Sequence, residues 1–377
     1  MPFDQGGVTF SLFHLPQPLP DDAVARFQRQ AAGELKEVKD EPQWGWIGNR
    51  HLLDRVIDEQ SAYSGGYLHL GLRQAQRKIP PSLLQAECRM QELTRMAQEN
   101  LEFLNARARK EIKQDVIARL LPEMPPQLTG IPFYVDSNIS RLYCGTVSQK
   151  QLDQFCAVFT DTFGFTPVQL TPEETVVKDL DVPAESLERI NFSPDLTDNA
   201  AGGTLGQDFL TWLWYFTSVN NGKLPKTRLG DFFCLVDGPL VMVDQSENDI
   251  GAREASIRKG LPTRSQEAQT ALRTGKKLRQ AKILCGLEGD GENSQKEFGW
   301  EVNLDADLFG FRSMKLPAGE AMDPESVFEE RANSIHTFCE LFFGLFGYFL
   351  NQIQDQEKFK ALQKNARQWV NDWPSGE

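Results

Sequence analysis

The sequence predicts a mixed α+β fold, an elongated and multi-lobed chain in which antiparallel sheets alternate with long helices. Three observations predict it. Short apolar runs with period-two alternation, the mark of strands, recur between segments whose apolar residues recur every three to four positions, the mark of helices. The alternation continues along the chain instead of segregating into blocks of one type, and no internal repeat is evident. At 377 residues, 40% hydrophobic and 25% charged, the chain has an ordinary globular composition and is long enough to bury a substantial core.

The elements follow in order. Val8 to Leu15 reads as a strand, Asp21-Asp22 as the cap of a helix running to about Gly33, Trp44 to Ile47 as a short strand before a Gly48-Asn49 turn, and Tyr67 to Leu72 as another strand. Together they make an N-terminal lobe over residues 1–79. Pro80-Pro81-Ser82 opens a helical arm over 80–122, in which Leu83, Leu84, Met90, Leu93, Ala97, Leu101 and Leu104 keep helical spacing. An unbroken helix from Leu83 to Leu121 would reach roughly 58 Å, so a break is expected, and Asn100 to Asn105 is its place. Phe133 to Asp136, a Ser137-Asn138 turn, Arg141 to Thr146 and a helix from Gln149 to Phe163 make a strand, strand, helix lobe over 123–170.

Residues 171–208 are expected to be an acidic insertion, because Pro172 to Gly206 is rich in Pro, Asp and Gly and lacks periodicity. A further lobe over 209–330 starts with the aromatic run Phe209 to Phe216, which reads as core. Phe232 to Val243 reads as a hairpin turning at Asp237-Gly238-Pro239, Thr263 to Gln266 as a capping box for a helix stopped by Gly275, and Leu278 to Leu287 as extended. Glu288 to Glu330 is a second acidic stretch. Residues 331–377 hold the rest of a helix spanning Val327 to Gln352 and a polar helical tail.

Several functional classes lack their signatures. The six cysteines (Cys88, Cys144, Cys156, Cys234, Cys285, Cys339) form no C-x-x-C pair and read as buried free thiols of a reducing compartment. His14, His51, His69 and His336 stand apart from any metal or nucleophile motif, and no G-x-S-x-G is present. Gly202-Gly203-Thr204-Leu205-Gly206 lacks the Lys-Ser/Thr of a phosphate-binding loop. The N-terminus lacks the basic and apolar regions of a signal peptide, and the apolar stretch Phe338 to Leu350 is too short to span a bilayer and contains Glu340. The expectation is a cytoplasmic protein without a cofactor and without a membrane partner.

A formal net charge of −13 speaks at first against a polyanionic partner. The charge is segregated, however. Gly251 to Lys282 carries nine basic residues against two acidic ones, and Arg73 to Arg119 ten against six, while Thr171 to Leu210 carries two against nine. Phosphates respond to the field within about 8 to 10 Å at physiological salt, so an acidic chain can still present a basic face.

The order of short motifs resembles the RdgC family of recombination-associated DNA-binding proteins. The pieces are Gly45-Trp46-Ile47, Leu68 to Leu72 leading into Arg73, Lys78-Ile79-Pro80-Pro81-Ser82, Ile112-Lys113-Gln114-Asp115-Val116-Ile117 with Leu120-Leu121-Pro122, and Tyr134-Val135-Asp136. Further on come Ile257-Arg258-Lys259, Thr274-Gly275-Lys276 and the helix Val327 to Ile353, collinear over roughly 300 of 377 residues. The resemblance implies a homodimer closed into a ring, of which this chain would form half. Its basic channel would hold double-stranded DNA with little sequence preference, would obstruct the loading of a recombinase, and would perform no catalysis. It implies association with the nucleoid. By the logic of phosphate contacts, Lys78, Arg258, Lys259, Arg264, Lys276, Lys277 and Arg279 are the DNA-binding residues.

Two rival readings are a metal-dependent exonuclease and an acidic protein-interaction scaffold without nucleic acid. The first rests on Asp21 with Glu34 and Lys36, or on Asp305 and Asp307 as a metal pair. The second rests on the net charge and on the aromatic run Phe209 to Phe216 being exposed.

Overall fold

In the computed structural model, which describes residues 3–197, 202–244, 252–287 and 299–373, the strands join into a single sheet of twelve. The first half of the chain supplies β1 (Val8–His14), α1 (Ala23–Arg29), β2 (Gln43–Ile47), β3 (Tyr63–Ser64), β4 (Tyr67–Gln76), α2 (Pro81–Gln98), α3 (Ala106–Leu120), β5 (Gln127–Asp136), β6 (Arg141–Cys144) and α4 (Gln149–Phe163). The second supplies β7 (Val168–Gln169), α5 (Pro172–Leu180), α6 (Leu205–Val219), β8 (Phe232–Val243), β9 (Glu254–Ile257), α7 (Gln266–Arg273), β10 (Lys277–Leu287), β11 (Trp300–Asp305), β12 (Gly310–Lys315), α8 (Pro324–Gln354) and α9 (Gln356–Asn371). The strand order is β2-β4-β5-β6-β1-β12-β11-β10-β8-β9, with β3 on β4 and β7 on β1. The mixed α+β expectation therefore holds, and the sheet is antiparallel throughout its named strand pairs.

Strand β1 is the seam. Its first residues, Val8 and Phe10, register with Met314 and Phe311 of β12, and Ser11 to His14 register with β6. Because side chains alternate across a strand, the seam feeds two cores. Phe13 joins Phe133, Val135 and Leu142 beneath α1 and α4, whereas Phe10 and Leu12 join Tyr134, Tyr143 and Phe311 beneath α8. The second core is aromatic: Phe209 and Trp212 of α6 pack edge-on or tilted against Phe342, Phe346 and Phe349 of α8 with ring centroids 5.1 to 5.6 Å apart. The aromatic run read as core is thus core, in helical form.

A repeat that the sequence hides emerges around this seam. Asp136 registers with Arg141 across β5 and β6, and Asp305 with Gly310 across β11 and β12, so both hairpins have four-residue loops. The last loop residue is left-handed in each, Ser140 at φ 50° and Phe309 at φ 47°. Each hairpin borders β1 and each is followed by a helix, α4 or α8, on opposite faces of the sheet. That arrangement has an approximate two-fold axis lying in the sheet along β1. Equivalent positions keep burial and not identity: Phe133 and Val302, Val135 and Leu304, Leu142 and Phe311 are all 0% exposed.

The arm breaks where chain length requires. Residues 99–105 turn between α2 and α3, with Asn100 at φ 50° and the Asn105 side chain accepting from the Ala108 amide at 2.8 Å. Leu104, Ala108, Ile112, Val116 and Leu120 form a separate small core with Leu83, Leu84 and Cys88, so the arm folds back on itself. Its tip leaves Phe103 73% exposed.

Five expectations need correction. Helix α1 stops at Arg29, short of Gly33, and Asp22 makes no side-chain cap but pairs with Arg26 and Arg29 at 2.8 and 3.3 Å. The acidic region after residue 171 is not all loop: the Thr171 hydroxyl caps α5, and Ile190 to Ser193 are buried. Phe232 to Val243 is one strand paired along β10, with register shifts that absorb Asp237-Gly238-Pro239 in place of a turn. Ser265 caps α7, while Thr263 lies in the preceding 3-10 turn Pro262–Arg264. The second acidic stretch contains β11 and β12, and its residues 288–298 lie outside the described ones.

The polar tail is α9, anchored by buried Phe359, Leu362, Ala366 and Val370. Of the cysteines, Cys88 and Cys156 are only half-buried, and Cys234 and Cys285 face each other across β8 and β10 with their sulfurs 3.0 Å apart. No helix among the described residues is long and apolar enough to cross a membrane.

Candidate nucleic-acid interface

The predicted cations fall into three places. Lys78 follows β4 at the root of the arm, exposed on the rim of an apolar groove of about 500 Å³ lined by Ile79, Leu84, Ile117 and Leu121. Arg258, Lys259 and Arg264 gather beyond the end of edge strand β9. Register explains the gathering. Ile257 pairs with Leu240, which sets Arg258 beside the Asp237-Gly238-Pro239 bulge of β8, and the turn holding Arg264 lies against that bulge. A Cβ on Gly238 would stand 2.4 Å from Pro262 Cγ, so glycine permits this close approach. All three side chains are exposed; the Arg258 Nε donates to Ser256 Oγ at 3.0 Å, and Lys259 takes a left-handed φ of 67°.

Lys276, Lys277 and Arg279 lie at the start of β10 and have different fates. Lys276 is half-buried with its ammonium 3.3 Å from Thr274 Oγ1. Lys277 needs correction as a phosphate contact: its side chain is 4% exposed and ion-paired to Asp208 of α6, itself 1% exposed. Strand alternation decides this, since an inward residue at the first position of β10 meets the first turn of α6. Burial pushes the Asp208 carboxyl up and the Lys277 ammonium down, and their mutual attraction opposes both shifts. Arg279 is held by Asp307 at 3.1 Å, so its charge is partly spent within the protein.

Around that pair lies a polar network. Asp307 accepts from Thr204 Oγ1 and Gln207 Nε2, both at 2.8 Å, and Asp208 Oδ2 accepts from the Ile190 amide at 3.2 Å. The loop and helix touch closely: a Cβ on Gly206 would stand 1.9 Å from the Ala306 carbonyl oxygen. Asp305, 6% exposed, accepts from Gln280 Nε2 at 2.8 Å and from Arg312 at 3.3 Å. Each carboxylate of the proposed metal pair thus takes donors of the chain itself, Asp305 through Oδ2 alone, its Oδ1 being buried without a partner among the described residues. Glu34 is likewise engaged, with Lys36 at 2.6 Å and Arg55 at 3.7 Å. Among the described residues, no group of three or more His, Cys, Asp or Glu is placed to hold a metal ion.

Among the described residues, Lys78, Arg258, Lys259, Arg264 and Lys276 form no ion pair with a carboxylate. Arm cations missed in the sequence share that state: Arg109, Lys110 and Lys113 on the outer face of α3 are exposed beside the paired Arg107 and Arg119. Their signal was available. They occupy the positions between the buried stripe of Ala108, Ile112 and Val116. Lys78 and the β10 cations stand at strands separated by six spacings in the sheet, on the order of 30 Å.

Residues 13–180 match a family described as "Putative exonuclease, RdgC". The matched segment contains Lys78, the arm and the first hairpin, while the motifs at Arg258 and Lys276 lie beyond it. No curated protein matches the chain.

Proposed function

We propose that the chain, whose residues 13–180 match the RdgC family, binds double-stranded DNA without sequence preference, as a homodimer closed into a ring, and so modulates recombination by limiting recombinase loading. The observation that carries the reading is a set of exposed or half-exposed cations, Lys78, Arg258, Lys259, Arg264 and Lys276, left without carboxylate partners among the described residues of a chain of net charge −13. An acidic protein with abundant carboxylates neutralises its surface cations easily. Cations kept apart from them are available to phosphates, and such contacts carry position and affinity but no sequence information. Cations at distant strands of one sheet suit a ring that touches a duplex from several sides.

In this reading the protein is not an enzyme and acts beside the nucleoid in the cytoplasm. Supporting that view, Asp305 Oδ2 is engaged by Gln280 and Arg312, and Asp307 by Thr204, Gln207 and Arg279, and a metal would have to compete with those donors. The test is a labelled linear duplex incubated with the protein and Mg²⁺ or Mn²⁺. A retarded complex that releases an intact strand is expected. Shortened strands would establish the exonuclease instead, and the lack of any complex at low salt would leave the acidic scaffold.

A further inference from the structure

Helix α9 has two unlike faces. Phe359, Leu362, Ala366 and Val370 are buried, and a stripe flanking them carries Lys360, Lys364, Arg367 and Asn371 at spacings of four, three and four. That outer stripe borders a concavity of about 440 Å³, closed on its other side by Pro194, whose lining contains no carboxylate. Lys360 and Lys364 are exposed and, among the described residues, form no ion pair. They stand one turn apart, a like-charge arrangement mildly unfavourable on a helix, which an anion lying between them would relieve. Arg367 is fixed as a wall of the concavity, its Nε donating to the Asn191 carbonyl at 3.1 Å.

The position of α9 matters as much as its charge. Gln269 of α7 donates to the Val370 carbonyl at 2.8 Å, Arg273 to Asn371 Oδ1 at 2.9 Å, and the Trp373 indole to the Arg264 carbonyl at 3.3 Å. Helix α7 is thus clamped to α9, with Arg264 before it and Lys276 after it. The nearby carboxylate of Asp195 is taken by Arg273 at 3.3 Å and does not neutralise the lysines. The C-terminal end of α9 therefore lies against α7 and the residues that flank it, about ninety positions away in sequence.

We propose that the outer face of α9 is a binding surface for the sugar-phosphate backbone of duplex DNA, with Lys360 and Lys364 as its phosphate contacts, continuous with Arg264 and Lys276. The proposal rests on the duplex-binding reading above and adds a site outside the segment that carries the family match. The test compares the full chain with the double variant Lys360→Gln, Lys364→Gln, whose substitutions keep helix propensity, by fluorescence anisotropy on a labelled duplex over a salt series. Unchanged thermal unfolding of the variant certifies its fold. The expected result is binding about tenfold weaker at low salt and a log–log salt slope shallower by about 1.8, the value for two lost phosphate contacts. Superimposable curves for the two proteins would overturn the α9 site and leave duplex binding standing. Failure of the wild-type chain to bind would overturn both.

Discussion

The two hairpins that flank β1 share a backbone and differ in what surrounds it. Around the first, Asp136 accepts from the Asn138 amide at 3.0 Å and Arg141 lies 5.3 Å over the Phe343 ring. Around the second, Asp305 and Asp307 are gripped by side chains of β10, β12 and α6, next to the buried Lys277–Asp208 pair. A repeated frame thus fixes strand register and apolar positions, while the polar residues hung on it diverge. For charge the lesson is direct. Two of the seven cations predicted to meet phosphate, Lys277 and Arg279, are engaged inside the second half, so charge counted along a sequence exceeds charge presented to solvent.

The comparison breaks first at the buried pair. Asp208→Ala leaves Lys277 buried without its ion-pair partner, and urea denaturation should show a loss of about 3 to 5 kcal/mol. Asp136→Ala in the first half should cost under about 1 kcal/mol; equal losses would mean that the Lys277–Asp208 pair is not specially placed. Next come the equivalent core positions Leu142 and Phe311, both 0% exposed. Leu142→Ala and Phe311→Ala should each cost about 2 to 5 kcal/mol within one transition, and separate transitions for the two halves would show that β1 does not couple them.

The third prediction concerns His69, which lies between β4 and α8, stacked on Phe328 at 4.0 Å and 9°. Burial pushes its imidazole down to about 4, opposed by Asp4. The unfolded chain takes up this proton near pH 6.5 and the folded protein only near 4, so stability is full above 6.5 and falls as the pH drops towards 4. The loss is about 3 kcal/mol. Denaturation curves across that window should show it, and His69→Phe should flatten them. Smallest is Arg258→Ala with Lys259→Ala, expected to leave stability within about 0.5 kcal/mol because both side chains are solvated.

Strongly periodic elements were legible in the sequence. The buried strands beginning at Val8, Tyr67 and Leu278, the α4 helix and the break in the arm follow from alternation, helical spacing and chain length. What was hidden depends on tertiary partners. Asp237-Gly238-Pro239 has turn chemistry, but continuous pairing with β10 holds it extended in β8. Strands β11 and β12 sit in a stretch read as acidic, where Trp300, Val302, Leu304, Phe311 and Met314 alternate across two short segments. The two-fold repeat was invisible because it conserves burial and loop length, not residue type. For the interface, the exposed states of Arg258, Lys259 and Arg264 agree with the basic run, whereas the fate of Lys277 required knowing that α6 lays Asp208 against it.

The measurement closest to the central claim is duplex affinity as a function of salt, on two unrelated sequences, for the wild-type chain and for Arg258→Ala, Lys259→Ala, Arg264→Ala combined. The account predicts equal affinity for both sequences, a steep fall with salt, and a slope reduced by up to about 2.7 in the variant. Strong preference for one sequence, or a slope unmoved by the triple change, would contradict it.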